Sequence, residues 1–345
     1  MCNIAGYVGE RDAAPILIDM IRRQEGMNGG YYSGIATIHE GKIYYAKLTG
    51  DVDRLIALTN AAALPGHIGI VHSRTKSGGG DEWAHPFVGM REGEVKLAYV
   101  ANGSAGCFAS RNEEYSRLAD ELCAEGFPMS ARIVLDEKCY LTLSDGTSVH
   151  MSDVMCQLIL KYMTEGLPTD AAMTEAFCRR PSAIVGLALD PREPDTVFFS
   201  RINCPMMVAF APHGAYLGTS AMDFPSDAGA PTALPACASG RVRACDYSAA
   251  PYREPPIDVP QIDARLYAKA YALVSEMLGE SAYTWPEISS RVRTLFEGAP
   301  CTPHALLSYE VLRALRNDRR LHEEVRRTDG VRADLSAPQT YFSLS

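Results

Sequence analysis

Cys2 is the residue of this sequence with the clearest chemical potential, because it directly follows the initiating methionine. Its side chain is small enough for that methionine to be removed, which leaves a thiol and a free α-amino group on the same carbon atom. An α-amine has a pKa of about 7.7–8, so much of it is unprotonated at neutral pH. The amine then serves as the base for an adjacent nucleophile, as with N-terminal threonine. The alternative interpretation is a buried strand residue without a chemical role.

Other polar residues with complementary chemistry follow predicted strands or glycine-rich turns. Arg74 comes directly after the apolar run 68–71 and His72-Ser73, and its planar guanidinium suits a carboxylate. Asn102 and Gly103 follow the run 97–100, and a side-chain amide beside an open backbone N–H suits an oxyanion. His85 follows a glycine-rich loop that can close over a bound ligand. Such groups favour nucleophilic attack on a carbonyl carbon.

The patterns that position these residues predict a mixed α/β domain. Apolar runs typical of strands occur repeatedly between residues 2 and 217, with a hairpin around His39-Glu40-Gly41. Amphipathic stripes predict helices between the strands. Residues 249–261 are rich in proline and alanine and predict a linker. From residue 262 the stripes are helical, so we expect residues 262–345 to form a helical module that packs against the first domain or docks to a partner.

Five ordered motifs make the chain resemble the class II glutamine amidotransferases. They are Cys2, GYYSGIAT at 30–37, HSR at 72–74, AHP at 84–86 and NG at 102–103. The sequence is most similar to the glutaminase domain of glucosamine-6-phosphate synthase, over residues 2–248. This resemblance implies an α+β fold, the four-layer αββα sandwich of the N-terminal nucleophile hydrolases, in which two antiparallel sheets stack between helical layers.

The resemblance also implies a mechanism and a set of site residues. Cys2 would attack the side-chain amide of glutamine, and its own α-amine would move the protons. Asn102 and the N–H of Gly103 would hold the oxyanion, and water would hydrolyse the glutamyl thioester after ammonia leaves. Arg74 would bind the α-carboxylate of glutamine. We expect Ser73 and His85 to contribute to the same substrate site.

Departures from the family pattern bear on the substrate. The family carries an aspartate for the α-ammonium of glutamine, and Met151 stands at the aligned position. About a dozen extra residues precede this point, so Asp145 is the first candidate for the missing acid and Asp153 the second. An unpaired ammonium in a closed pocket costs several kcal/mol. Thr75 stands where the family has tryptophan, and Asn3 follows the nucleophile where the family has glycine.

Composition excludes several other function classes. The 345 residues carry a net charge of −9, which disfavours nucleic acid and anionic membranes as partners. No apolar run approaches the roughly 20 residues of a membrane span, and no signal peptide is evident. Neither CxxC nor HExxH occurs, so we expect no metal site and no cofactor. With ten cysteines and no export signal, the sequence predicts a cytoplasmic protein with reduced thiols.

Three functions remain open at this point. The first is a glutaminase that supplies ammonia to a synthase on a separate chain, because the residues after 248 are too few for the sugar-isomerase domains of glucosamine-6-phosphate synthase. The second is a non-catalytic protein that senses an amino acid, which Met151 and Thr75 favour. The third is an amide hydrolase with a substrate other than glutamine.

Overall fold

The computed structural model describes residues 2–134, 140–296 and 298–345. Within these ranges the strands are β1 Asn3–Gly9, β2 Tyr32–His39, β3 Lys42–Thr49, β4 Ile68–Arg74, β5 Phe87–Arg91, β6 Glu94–Ser104, β7 Leu141–Thr142, β8 Ser148–Val149, β9 Ala183–Leu189, β10 Val197–Arg201, β11 Met207–Ala211, β12 Gly214–Gly218, β13 Thr232–Ala233, β14 Ala238–Val242, β15 Tyr247–Pro251, β16 Tyr283–Thr284, β17 Leu321–Asp329 and β18 Ser336–Leu344. The α-helices are α1 Ala13–Gln24, α2 Val52–Leu58, α3 Asn112–Ala124, α4 Met151–Thr164, α5 Thr169–Arg179, α6 Ala264–Glu280, α7 Trp285–Arg293 and α8 His304–Asn317.

Two antiparallel sheets form the centre of the first domain. The first sheet has the order β13-β11-β12-β1-β4-β2-β3, and the second has the order β15-β14-β10-β9-β6-β5. Strand β1 carries no charged residue and is apolar or aromatic from Ile4 to Val8, because both of its faces are covered. Ile4 and Val8 face the core between the sheets, and Ala5 and Tyr7 face the outer core that includes α1. Successive side chains of a strand point to opposite faces, so both sets are buried.

Helices cover the outer faces of both sheets. Helix α1 places Leu17 and Ile21 in the core on the outer face of the first sheet. Helices α4 and α5 place Leu158 and Phe177 against the second sheet. The layer order is therefore helix, sheet, sheet, helix, which confirms the predicted αββα sandwich.

The carboxy-terminal residues contain more than the expected helices. Helices α6, α7 and α8 share a core with a three-stranded sheet of order β16-β18-β17. The prediction of a helical module was therefore incomplete. The segment 249–261, predicted as a linker, begins inside β15, whose residues pair with β14 at the edge of the second sheet.

The module packs directly against the segment that flanks Cys2. The phenolic hydroxyl of Tyr309 on α8 accepts a hydrogen bond from Asn28 Nδ2 at 3.1 Å and lies 3.5 Å from Asn3 Oδ1. The Tyr309 ring also stacks on Trp285, with 4.8 Å between ring centroids. The backbone N–H of Thr340 on β18 donates to the Gly26 carbonyl at 2.8 Å. Asn3, the residue next to Cys2, is thus contacted by a side chain of the module.

Tyr309→Phe is expected to lower the free energy of unfolding by about 1–2 kcal/mol, because it leaves the buried amide groups of Asn28 and Asn3 without this partner. Urea denaturation measures the change. Tyr271→Phe is the control, since the hydroxyl of Tyr271 makes only exposed hydrogen bonds, and its expected effect is within about 0.5 kcal/mol. Equal effects of the two substitutions would show that the contact to α8 does not stabilise the fold.

Candidate active site

A cavity of about 250 Å³ lies where β1 begins and where β4 and β6 end. Asn3 pairs with Ser73 in the first sheet, so the chain brings Cys2 beside Arg74. The end of β6, in the second sheet, contributes Gly103. The nucleophile candidate and two of its predicted partners therefore meet at one end of the sandwich, although 72 and 101 positions separate them along the chain.

Cys2 is 8% exposed, and both of its functional atoms have polar neighbours. Its backbone nitrogen donates to Asn102 Oδ1 at 2.8 Å, and its Sγ lies 3.8 Å from Thr75 Oγ1. Burial alone raises the pKa of the Cys2 thiol, but the neighbouring imidazole of His72, the charge of the amino terminus and a backbone hydrogen bond at Thr75 together outweigh burial and bring the pKa down to about 6. A thiol in this environment is largely thiolate at neutral pH, which is the nucleophilic form.

Asn102 and Gly103 are fixed by the pairing of β6 with β9. Asn102 is fully buried, and its Nδ2 lies 3.5 Å from Thr219 Oγ1. Gly103 has φ +132°, and a Cβ at this position would lie 2.1 Å from the Ala183 carbonyl oxygen. Only glycine fits such a backbone, and its N–H is not shielded by a side chain. The two residues lie next to Cys2.

Arg74 lies under the loop between β4 and β5. Its Nη1 donates to the Trp83 carbonyl at 3.2 Å, and its Nη2 donates to the Gly78 carbonyl at 3.1 Å. Its guanidinium carbon lies 4.5 Å from the centroid of the Tyr32 ring. These contacts hold the guanidinium of Arg74, which is only 2% exposed, at the wall of the cavity. Among the described residues it has no carboxylate partner. A positive charge held in this way suits an anionic substrate group.

His85 lines the same cavity with both ring nitrogens unpartnered among the described residues. Burial, together with the charges of His72 and His150, lowers the pKa of His85 well below its ordinary value. The ring is therefore neutral at physiological pH, with one donor and one acceptor. The His85 backbone also packs closely against Gly34. A Cβ on Gly34 would lie 1.9 Å from the His85 carbonyl oxygen, so a larger residue at position 34 would displace His85.

Two residues predicted at the substrate site lie elsewhere. Ser73 is adjacent to His72 and Arg74, so its side chain points to the opposite face of β4. There it donates to Glu25 Oε1 at 2.7 Å and accepts from the Gly30 N–H. Asp145 is exposed and pairs with Arg132 at 2.9 Å in a surface turn. Both expectations are corrected by these positions.

Asp153, the second candidate for the missing acid, does not line the cavity either. Its Oδ2 accepts from Ser130 Oγ at 3.0 Å and from the Ala131 N–H at 3.1 Å. Burial raises the pKa of Asp153 to about 6. In residues 2–134, 140–296 and 298–345, no aspartate or glutamate lines the cavity.

Sequence reasoning missed two residues of the cavity wall. His150, the N-cap of α4, accepts from the Ser152 N–H through Nδ1 at 3.1 Å and faces Phe87 and His85. Tyr140 accepts from the Gly78 N–H at 2.9 Å through its hydroxyl. Neither residue belongs to a motif, and only the N-cap position before an apolar helix offered a signal for His150.

The described part of the chain contains neither a metal-ion cluster nor a membrane-spanning helix. No group of three or more histidine, cysteine, aspartate or glutamate side chains is arranged to hold a metal ion there. In the same residues, no helix is long and apolar enough to cross a membrane.

Comparisons with known proteins give related sequences and folds. No family model matches the sequence. The chain is 29% identical over 216 residues to glutamine–fructose-6-phosphate aminotransferase (isomerizing) of Pyrococcus horikoshii, covering 60% of this chain and 30% of the relative. It is 34% identical over 216 residues to the enzyme of that name from Thermosynechococcus vestitus, covering 61% and 30%. The chain thus spans about a third of the length of these curated relatives.

A solved structure shares the fold across most of the chain. Glutamine phosphoribosylpyrophosphate amidotransferase of Bacillus subtilis, in complex with ADP and GMP, superposes with a TM-score of 0.60. The sequence identity is 11%, and the match covers 87% of this chain and 65% of that chain. At this identity the likeness establishes the fold.

Gly103→Ala is expected to destabilise the protein by about 3 kcal/mol, because it combines an unfavourable positive φ with a backbone clash. Gly146→Ala is the matched control, since Gly146 also has positive φ, at +84°, but open space around its Cβ position. We expect about 1 kcal/mol for the control. Urea denaturation of both variants gives the comparison, and equal losses would refute a steric requirement at Gly103.

Proposed function

We propose that this chain carries a class II glutamine amidotransferase domain, which hydrolyses the side-chain amide of glutamine through Cys2 and supplies the ammonia to a synthase. The observation that carries the proposal is the hydrogen bond from the Cys2 backbone nitrogen to Asn102 Oδ1, at 2.8 Å. After removal of Met1 this nitrogen becomes the α-amine of Cys2. The bond therefore fixes the position of that amine in the cavity, which Arg74 and Gly103 also line.

The first half of the reaction is the attack of sulfur on the amide carbon. Removal of Met1 leaves Cys2 with a free α-amine that accepts and returns protons. The amide of Asn102 and the N–H of Gly103 stabilise the negative oxygen of the tetrahedral intermediate. Removing one donor of such a pair typically costs about a hundredfold or more in rate. The α-amine then protonates the leaving nitrogen, and ammonia departs.

The second half is hydrolysis of the glutamyl thioester. A water molecule, deprotonated by the same α-amine, attacks the thioester carbonyl. The oxyanion donors act again, and glutamate leaves with the thiol restored. The neutral imidazole of His85 adds a donor and an acceptor to the wall of the cavity.

Arg74 is proposed to bind the α-carboxylate of glutamine. The backbone carbonyls of Trp83 and Gly78 and the hydroxyl of Tyr140 use three of its five N–H groups, which leaves the Nε–H and one Nη1–H for the substrate. Because the same carbonyls belong to the loop that covers the cavity, carboxylate binding and closure of the loop are coupled. The loop residues 75–86 therefore belong to the substrate site.

The ammonia acceptor is proposed to reside on a separate synthase chain. The relatives named aminotransferases are about three times as long as the matched segment. The 84 residues after 261 form a small α/β module whose core is filled by its own side chains and by Met27 and Met222. As part of the same proposal, the chain acts in the cytoplasm, where its nine described cysteines stay reduced.

One observation favours a second candidate, an amidase for a substrate without an α-ammonium group. Among the described residues the cavity wall contains Met151 but no acidic side chain to pair with an ammonium. The non-catalytic sensor differs from both in one respect, since it retains Met1 and has no free amine at Cys2.

Labelling with diazo-oxo-norleucine tests the nucleophile. We expect stoichiometric modification of the processed wild-type protein at Cys2, seen by mass spectrometry of the N-terminal peptide, and complete loss of ammonia release in Cys2→Ala. Cys204→Ala is the control for a buried neighbouring thiol and is expected to retain labelling. An intact Met1 in the purified protein, with no labelling, would support the sensor instead.

A pair of amides tests the substrate. Glutamine and glutaramate share the amide and the carboxylate, and glutaramate lacks the α-ammonium. We expect kcat/KM for ammonia release to be higher for glutamine, and Arg74→Lys to raise KM about tenfold or more, because lysine cannot form a bidentate pair. A higher kcat/KM for glutaramate would overturn glutamine as the substrate and favour the second candidate.

A further inference from the structure

Two serines of the sequence motifs lie outside the cavity and share one partner. Ser73 of the HSR motif and Ser33 of the GYYSGIAT motif pair with each other across β4 and β2. The Ser73 hydroxyl donates to Glu25 Oε1 at 2.7 Å, and the Ser33 hydroxyl lies 2.9 Å from the same oxygen. Glu25 directly follows α1. The proposed mechanism uses none of these three residues.

Glu25 is a buried carboxylate, only 8% exposed. Besides the two serines, the backbone N–H of Val52, at the start of α2, donates to its Oε1 at 3.0 Å and lies 3.1 Å from its Oε2. Among the described residues no arginine, lysine or histidine forms an ion pair with Glu25. Burial of a carboxylate without a cation is costly unless hydrogen bonds replace its lost hydration. The carboxylate is therefore held by uncharged donors that meet on the face of β4 opposite the cavity.

The bond between Glu25 and Ser73 anchors the end of β4. Ser73 Oγ also accepts from the Gly30 N–H at 2.7 Å, so the turn before β2 is bound to the same hydroxyl. Ser73 pairs with Asn3 on β1, and it directly precedes Arg74, whose side chain lines the cavity on the other face. Because neighbouring residues of a strand share a peptide bond, an anchor on Ser73 also fixes the backbone that carries Arg74.

The carboxy-terminal module closes this cluster from outside. Arg327 on β17 pairs with Asp51 at 2.8 Å, and Asp51 is the N-cap of α2, the helix whose first N–H binds Glu25. A Cβ on Gly30 would lie 2.6 Å from Pro338 Cδ, so β18 packs directly on the turn that binds Ser73. The chain segments on both sides of the Glu25 carboxylate are thus held by the module.

We propose that Glu25 is a positioning residue that holds Arg74, through Ser73, in the orientation that binds the carboxylate of the substrate. Glu25 acts on the backbone of β4 and touches no reacting atom. The inference rests on the proposed function in taking Arg74 as the residue that binds this carboxylate. Loss of the Glu25 charge then weakens the binding of carboxylate ligands and leaves the reactivity of the Cys2 sulfur unchanged.

The test compares two electrophiles that react with the Cys2 thiol. Diazo-oxo-norleucine carries an α-carboxylate, whereas iodoacetamide is small and neutral and carries none. Both second-order rates at Cys2 are measured by mass spectrometry of the N-terminal peptide of the processed full-length protein. Burial raises the pKa of Glu25 to about 7, although its hydrogen bonds oppose this rise. The assays are therefore run at about pH 8, where most of the carboxylate is ionised.

Glu25→Gln keeps the size of the side chain but removes its charge and replaces one acceptor oxygen with a donor. We expect labelling by diazo-oxo-norleucine to be about tenfold slower and labelling by iodoacetamide to stay within about twofold of wild type. For glutamine, KM should rise about tenfold with kcat nearly unchanged, which indicates lost ground-state binding. Slowing of both reagents to the same extent in the folded variant, or of neither, would overturn the inference.

Asp190→Asn is the matched control for the loss of a buried carboxylate. Asp190 is 1% exposed and accepts from Thr169 Oγ1 at 2.6 Å. It follows β9 at the end away from Gly103, because Gly103 pairs with Ile184 near the start of that strand. Both labelling rates of this variant should equal those of wild type. A selective loss of the diazo-oxo-norleucine reaction in Asp190→Asn would show that the effect is not specific to Glu25.

Ser73→Ala tests the path from Glu25 to Arg74. It removes the hydroxyl that joins the carboxylate to β4, so we expect labelling by diazo-oxo-norleucine to be about threefold slower or more, with iodoacetamide unaffected. The double variant should be no slower than Glu25→Gln alone, because both substitutions break one path. Additive losses would contradict that path.

Binding of glutarate separates this inference from the proposed function. Glutarate has carboxylates but no amide, and its affinity, measured by isothermal titration calorimetry, should fall about tenfold in Glu25→Gln. Equal affinities in the two proteins would overturn the inference, whatever the result with glutamine. Wild-type protein that binds glutarate but neither reacts with diazo-oxo-norleucine nor releases ammonia from glutamine would refute the proposed function instead.

Discussion

The arrangement of this site depends on one hydrogen bond between the two sheets. The backbone nitrogen of Cys2, at the start of β1, donates to the side-chain oxygen of Asn102, at the end of β6. The bond is buried, so its loss would leave two polar groups unpaired. It sets the position of Cys2 relative to Asn102 and Gly103, and the register of β1 with β4 then sets the position of Arg74 and His72.

The sequence contained enough information for the layers of the sandwich and for most of the site. Cys2, Arg74, Asn102 and Gly103 all lie at strand ends, and the motif order was sufficient to bring them together. Ser73 shows where such reasoning fails. The motif HSR contains three adjacent residues, but in a strand the side chain of the middle residue points to the face opposite the other two. Asp145 fails for another reason, since the path of an inserted loop is determined by tertiary contacts that a linear pattern does not contain.

The carboxy-terminal module shows the limits of periodicity. Helices α6 and α8 bury one stripe each, so their spacing was evident in the sequence. Strands β17 and β18 pair with each other over nine positions, but β17 is mostly exposed and rich in charged residues. Without a buried face, a strand has no alternation of apolar and polar residues to reveal it. The place of His150 in the cavity wall could not be predicted from the sequence either. Its neighbours His85 and Phe87 are distant along the chain and meet it only in the folded protein.

The bond network from Asn3 through Asn28 to Tyr309 also has a thermodynamic meaning. It joins Asn3 to helix α8, which begins 301 positions later, and the Gly26–Thr340 bond lies close to it. Unfolding of the module would expose the amide groups of Asn3 and Asn28 to solvent. Unfolding of β1 would in turn remove Asn3 as a partner of Tyr309 on α8. Each part therefore completes the hydrogen bonding of the other, and we expect the two to unfold together.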